Sequence, residues 1–302
     1  LQYRAVKRPV SGVLLLDKPA GISSNTALQK AKRLYQAAKA GHTGNLDPFA
    51  TGLLPVCFGE ATKFSQFLLD ADKTYQGLIR LGQTTTTGDP EGEVLTRQDV
   101  RVGLEQVRQV LERFIGKISQ VPPMYSALKR DGKALYEYAR QGLEVERAPR
   151  EVTIYSLILE RFEGDELLVT VSCSKGTYIR TLAEDIGKTL GCGAYLQALR
   201  RIAIGEFEIK DAFTLEQLEV MTVEERDALL LSGDSLLQGY PQVVLDKDSV
   251  FYLQRGQAVW LPRITEQGVV RLYDETGLFL GIGEVTEDGK VAPRRLVVFP
   301  PG

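Results

Sequence analysis

From Lys73 to Gly82 apolar residues fall at alternate positions, with Tyr75, Ile79 and Leu81 on one side. That period of two predicts a strand with one buried face. The run Gly12 to Leu16 is almost wholly apolar and predicts a buried strand, closed by a Lys18-Pro19 turn. A helix is expected from about Ser24, with Ser24 as its N-cap and Leu28, Ala31 and Leu34 on one face. Phe64, Phe67 and Leu68 also have helical spacing, and Leu104, Val107, Leu111 and Phe114 form a stripe stopped by Gly116. Thr84 to Gly92 reads as a turn-rich loop, and strands recur at Val152 to Leu159 and Leu167 to Cys173. Ser174 to Thr177 then turns into a helix whose inner stripe is Ile179, Leu182, Ala183, Ile186 and Leu190. Arg180 lies in its first turn, where a cation opposes the helix dipole and so calls for an anionic partner; Asp47 is the expected one. Two acidic helical stretches follow near Leu215 to Leu231. Beyond about Val244 short strands alternate with turn signals such as Asp274 to Gly277 and Asp288-Gly289. The whole predicts an α+β protein: a mixed or antiparallel sheet with flanking helices over residues 1–243, then a small β-rich domain over 244–302.

Composition narrows the function classes. At 302 residues, with 43% hydrophobic and 25% charged residues, the chain has the make-up of a soluble globular protein. No apolar run approaches the roughly 18 residues of a membrane span, and Val13 to Leu16 is strand-sized rather than a signal peptide. A cytoplasmic location is expected. Cys57, Cys173 and Cys192 are scattered, and His42 is the only histidine, so a zinc site is not expected and the default mechanism is metal-independent. Net charge is −2, but it is unevenly spread. Residues 1–40 carry eight Lys/Arg (Arg4 among them) against Asp17, a balance of +7; 117–150 carry seven basics and four acids, +3; 211–249 carry nine acids and two basics, −7. Local fields decide where a polyanion docks. Met124 to Gly142 mixes Tyr125, Tyr136 and Tyr138 with Lys129, Arg130, Lys133 and Arg140. That mixture suits RNA, whose bases stack while its phosphates pair, and equally suits a surface hairpin and helix with amphipathic tyrosines.

The candidate chemistry lies in Gly41-His42-Thr43-Gly44-Asn45-Leu46-Asp47-Pro48-Phe49-Ala50-Thr51-Gly52. Glycines permit positive φ and close backbone approach, and Pro48 biases Asp47 away from helix. A rigid, exposed turn that presents one carboxylate is expected. By itself, an Asp before Pro is most often a turn former.

As a full string this loop resembles the catalytic loop of the TruB family of tRNA pseudouridine synthases. The resemblance runs over essentially the whole chain. It takes in Gly12 to Pro19, Lys73-Thr74-Tyr75, the spaced Thr85, Thr87, Asp89 and Gly92, and Pro122 to Lys129. Cys173 to Arg180, Leu199-Arg200-Arg201 and the tail from Gly281 to Leu296 follow in the family's order. Asn45 departs from it, standing where a smaller residue such as Ala is expected.

The resemblance implies a pseudouridine-synthase catalytic domain with an RNA-binding insertion at about 122–150, and a PUA-like RNA-binding domain at the C-terminus. It implies conversion of uridine 55 in the tRNA T-loop to pseudouridine, with no cofactor, metal or obligate protein partner; nothing in the sequence requires more than a monomer. Such a base must be flipped out of its stack. By the same resemblance Asp47 is the catalytic carboxylate, acting as nucleophile, and Arg180 is its partner. Tyr75 stacks on the base and is a candidate for proton removal from C5, His42 fills the space the base leaves, and Tyr178 and Leu199 line the uracil pocket. Whether Asp47 attacks C1′, attacks the base or first takes a proton from C2′ is open in the sequence. Two other readings stand beside it: a tRNA-folding chaperone without required catalysis, and a guide-RNA-dependent pseudouridine synthase.

Overall fold

A computed structural model describes residues 7–262 and 264–299. The sequence patterns close into a ten-stranded mixed sheet. Its strands are β1 (Gly12–Lys18), β2 (Ala40–His42), β3 (Thr51–Phe58), β4 (Lys73–Leu81), β5 (Gly116–Gln120), β6 (Arg150–Glu163), β7 (Glu166–Cys173), β8 (Ala194–Ile204), β9 (Phe207–Glu208) and β10 (Phe213–Thr214). The order is β10-β1-β3-β8-β4-β7-β6-β5, with β2 paired to β3 and β9 to β8. Most pairs are antiparallel, but β8 runs parallel to β3 and β10 parallel to β1. The period-two residues of β4 do point one way: Tyr75, Ile79 and Leu81 are all buried. On that face the main core forms against α1 (Ser24–Leu34), α2 (Leu104–Glu112) and α3 (Ile179–Leu190), whose predicted stripe of Ile179, Leu182, Ala183, Ile186 and Leu190 is buried throughout.

Local details correct several expectations. Ser23, not Ser24, caps α1: its hydroxyl accepts from the Thr26 amide, while Ser24 turns inward. Leu104 is exposed, Val110 takes the inner position, and α2 ends before Gly116, which instead opens β5. Thr84 to Gly92 is not all loop, because Gln83–Thr85 pairs with Val94–Arg97 in a hairpin. The 122–150 stretch holds a second hairpin, Lys129–Arg130 with Lys133–Ala134, followed by the helix Leu135–Ala139. Its two-residue turn, Asp131-Gly132, has positive φ at both positions, as a tight hairpin requires.

The other face of the ten-stranded sheet packs Val13, Leu15, Leu53 and Cys57 against Phe64 and, from the C-terminal sheet, Ile282. That sheet has five strands, β11 (Gln242–Leu245), β12 (Val259–Trp260), β13 (Gly268–Asp274), β14 (Phe279–Val285) and β15 (Lys290–Leu296), in the order β11-β13-β14-β15-β12. It encloses its own small core of Val243, Leu245, Leu253, Val270 and Leu272. The helix Lys247–Leu253 within this region has no counterpart in the sequence reading. Among the described residues no helix is long and apolar enough to cross a membrane.

Candidate active site

The loop between β2 and β3 carries Asp47 over the middle of the ten-stranded sheet. It is less exposed than its composition suggests: Thr43, Leu46 and Ala50 are buried, and from Thr43 to Ala50 only Asn45 is exposed. His42 does not lie in the loop proper but ends β2, opposite Val56. The loop is tied down from α1, where Ser24 Oγ donates to the Leu46 carbonyl (2.9 Å) and accepts from the Leu46 amide (2.8 Å). The Asp47 carbonyl accepts from the Ala50 amide (3.0 Å), and the Pro48 carbonyl from the Gly21 amide (2.8 Å). Lys18, fully buried, donates to the carbonyls of Pro19 (2.8 Å), Ile22 (2.8 Å) and Pro48 (3.4 Å). Burial lowers its pKa to about 8, opposed by the nearby Asp47 charge. At the loop's far end Gly52 is obligatory: its φ is +107°, and a Cβ there would lie 2.3 Å from the Arg201 carbonyl oxygen.

Arg180, 4% exposed, projects from the first turn of α3 and meets Asp47 Oδ2 at 3.0 Å. It also holds a second acid, Asp89 Oδ2 at 3.1 Å, and donates to the carbonyls of Thr87 (3.2 Å) and Tyr125 (2.6 Å). Asp89 is itself buried and fixed by the Thr87 hydroxyl and the Glu91 amide. Sequence reasoning gave Asp89 no role; its surroundings of Thr, Gly and Pro look like an ordinary turn, and only the fold brings it to Arg180. The consequence is electrostatic. Two carboxylates share one guanidinium, so Arg180 is only partly free to offset the Asp47 charge. Burial pushes the Asp47 carboxyl above its usual range, with Arg180 pulling it down, Asp89 pushing it up and Lys18 pulling it down. The net direction is upward.

The remaining predicted residues converge on the same region. Tyr75, 9% exposed, sits on β4, and burial raises its phenol pKa above the ordinary value. Leu199 on β8 is cross-strand to Gly77 and packs on the main core. Tyr178 immediately precedes α3; its amide donates to Gln120 Oε1 (3.0 Å) and its carbonyl accepts from Gln120 Nε2 (3.3 Å), which orients the residue. Burial raises the Tyr178 phenol and lowers the His42 imidazole, whose Nδ1 has no hydrogen-bond partner among the described residues. The three cysteines are free and buried.

The positive stretches are only partly available to a partner. Within 1–40, Lys18 is buried and Arg8 pairs with Asp227, while Arg4 lies outside the described residues. Lys30, Arg33 and Lys39 are exposed, as are Lys129, Arg130, Lys133 and Arg140 of the insertion. Exposed Tyr136 lies under the Arg140 guanidinium, 5.3 Å from ring centroid to Cζ.

Comparison with known proteins agrees with this arrangement. Residues 32–179 match the family description "TruB family pseudouridylate synthase (N terminal domain)", 180–238 match "tRNA pseudouridylate synthase B C-terminal domain", and 241–297 match "Pseudouridine synthase II TruB, C-terminal". The chain is 60% identical to tRNA pseudouridine synthase B of Methylobacillus flagellatus, over 98% of both chains. It is 56% identical to the enzyme of the same name from Pseudomonas fluorescens (strain Pf0-1), again over 98% of both. Among solved structures it is similar to one titled as a Cbf5-Nop10-Gar1 complex, at a TM-score of 0.74 and 26% identity, covering 99% of this chain and 92% of that one. A carboxylate loop braced over a mixed sheet and paired with the arginine of α3 thus belongs, with the rest of the chain, to the TruB family of pseudouridylate synthases.

Proposed function

We propose that this protein converts uridine 55 of tRNA to pseudouridine. Breaking the N1–C1′ bond, turning the uracil and joining C5 to C1′ requires a nucleophile, a rotation space and removal of the C5 proton. Asp47 supplies the nucleophile. The observation that carries this reading is its 3.0 Å contact with Arg180, a guanidinium that Asp89 and two carbonyls already hold in place. A preorganised cation does not reorient as charge shifts during reaction, which is where electrostatic catalysis is strongest. Tyr75 packs against the flipped base and takes part in the late proton removal; its phenol, ordinarily near pKa 10, needs activation for that task. Tyr178 and Leu199 line the uracil pocket and His42 occupies the space the base vacates.

Residues 1–243 form the catalytic unit and 244–302 a PUA-like RNA-binding domain, with the 122–150 insertion gripping the T-arm. The protein acts in the cytoplasm as a monomer, without cofactor, guide RNA or protein partner. Incubation of the purified protein with an unmodified tRNA transcript, followed by mass mapping of pseudouridine, tests this directly. Product at position 55 is expected; product only after a guide RNA or second protein is added would favour the guide-dependent reading. Binding without product would favour a folding chaperone.

A further inference from the structure

Alternation along β5 puts Ile118 and Gln120 on the inner face of the sheet, and Ile118 packs on the main core as that placement requires. Position 120 is the more deeply buried of the two, 2% exposed, yet it carries a carboxamide where an aliphatic side chain would cost less. A buried amide needs partners for both its oxygen and its nitrogen. Gln120 finds both on one residue distant in sequence. Its Oε1 accepts from the Tyr178 amide (3.0 Å), and its Nε2 donates to the Tyr178 carbonyl (3.3 Å). Tyr178 is extended (φ −99°, ψ 108°), so its own N–H and C=O open to the same side, and only one orientation of the carboxamide serves both.

Tyr178 is the N-cap of α3, and its side chain makes no capping bond to that helix. The carbonyl that receives Gln120 also accepts from the Leu182 amide (3.1 Å), the bond that opens α3. The clasp therefore fixes the peptide on which the helix starts, and Arg180 lies within the turn that follows. We propose that Gln120 is a positioning residue for the isomerisation: its carboxamide sets the first turn of α3, and with it both the wall of the uracil pocket and the cation that holds Asp47. The proposal rests on the functional reading above, in which Tyr178 lines that pocket and Arg180 pairs with the nucleophile. Gln120 acts only through that turn, being buried away from solvent. The turn is held a second time from within the insertion, where the Tyr125 carbonyl accepts from Arg180 (2.6 Å). Pro122 and Pro123 stiffen the span between the two holds, and Arg147 Nη1 donates to the Pro122 carbonyl (3.2 Å), returning the end of the insertion to its start. The charged groups about Tyr178 are Arg150, which is cross-strand to Gln120, together with Arg180 and Asp47.

The test uses the full chain with Gln120→Met, which keeps the volume and removes both bonds, and Gln120→Glu. The second variant keeps the acceptor for the Tyr178 amide and, when protonated, a donor for its carbonyl. Under single-turnover conditions Gln120→Met is expected to slow pseudouridine formation by about thirtyfold, within the range that a small misplacement of reacting groups costs. KM for tRNA should stay within about threefold. Gln120→Glu should recover part of the rate, most of it at acidic pH. Arg180 pulls the Asp47 pKa down, so a loosened first turn should raise it further and move the acid limb of the Gln120→Met profile to higher pH. A uniform slowing at every pH, with no recovery in Gln120→Glu, would reduce Gln120 to a fold brace and overturn the proposal, as would an unchanged rate. Should Gln120→Met fail to fold, Gln120→Glu decides: its rate relative to the parent should fall as pH rises, and a constant ratio would overturn the proposal. Amide hydrogen exchange is independent of turnover. Protection at Tyr178 should drop in Gln120→Met while the amides of β4 keep parental values, and unchanged protection at Tyr178 would sink the proposal whatever the enzyme does. A parent that makes no product would overturn the functional reading; variants that match an active parent would overturn this inference alone.

Discussion

Two regions rich in charge, the Asp47 site and the 122–150 insertion, are built on opposite principles. At the site most charges are buried and the bonds that bring them together span the chain: Ser24 with Leu46, Arg180 with Asp47 and Asp89, Arg201 with Asn45 and Leu53. In the insertion Lys129, Arg130, Lys133 and Arg140 stand in solvent, and the local bonds are short-range, such as Tyr138 to the Arg130 carbonyl and Arg147 to Glu144. Chemistry needs a few atoms fixed within tenths of an ångström, which only a sheet and its neighbours can supply. Holding a phosphate backbone needs exposed charge at roughly the right spacing, which a hairpin and one helical turn provide. One thread joins the two regions, the Tyr125 carbonyl accepting from Arg180 at 2.6 Å.

If that contrast is right, substitutions should divide into those that destroy rate and those that weaken binding. The largest effect is expected from Asp47→Asn, with turnover lost by more than about a thousandfold while tRNA binding persists in a filter assay. The folded state holds the Asp47 proton more tightly than an unfolded chain does, so the ionised group costs stability above its raised pKa. The variant should therefore melt no lower than the parent at neutral pH; a clearly lower melting temperature would contradict the pKa direction. Next comes Asp89→Ala, which takes from the buried Arg180 guanidinium one of its two carboxylates and should cost on the order of 3 kcal/mol in denaturant unfolding together with a large loss of rate. If rate fell with no loss of stability, Asp89 would be acting on chemistry alone.

Replacing Lys129, Arg130 and Lys133 together by Ala should instead raise KM about tenfold or more at physiological salt and flatten the log–log salt dependence by about two units, leaving the single-turnover rate at saturation nearly intact. A fall in that rate would show that the insertion also sets the site. Subtler is the pH profile: because the Asp47 carboxyl is raised, rate should decline on acidification at a pH above the usual carboxylate range, and this limb should survive the triple insertion variant unchanged. Smallest of all is Asn45→Ala. Asn45 engages Arg201 through its carbonyl, which alanine keeps, so activity and stability should match the parent within about 0.5 kcal/mol.

The same contrast explains what could be read in advance. Elements whose residues answer to near neighbours are legible: the alternation of β4, the stripe of α3 and the turns of the C-terminal sheet. The contact between Arg180 and Asp47 also followed from a local argument, a cation placed against a helix dipole. What failed to show was anything decided across the sheet. The irregular burial of β8 comes from bulges near Leu196 and Arg201, so no clean period marks it as a central strand. Asp89 resembles a turn former and Arg201 a surface arginine until β8 slides between β3 and β4. The cap of α1 shifted by one residue because Ser23 and Ser24 are chemically alike and the loop above claims one of them.

That placement of β8 has a consequence for synthesis. The strands at 51–58 and 73–81 do not pair with each other; both wait for residues 194–204 to fill the gap between them. A ribosome must therefore release some hundred and twenty further residues before the two halves can join. Contacts so distant along the chain make for slow closure, and a nascent polypeptide that stops short of them leaves two unpaired edges open to aggregation or chaperones.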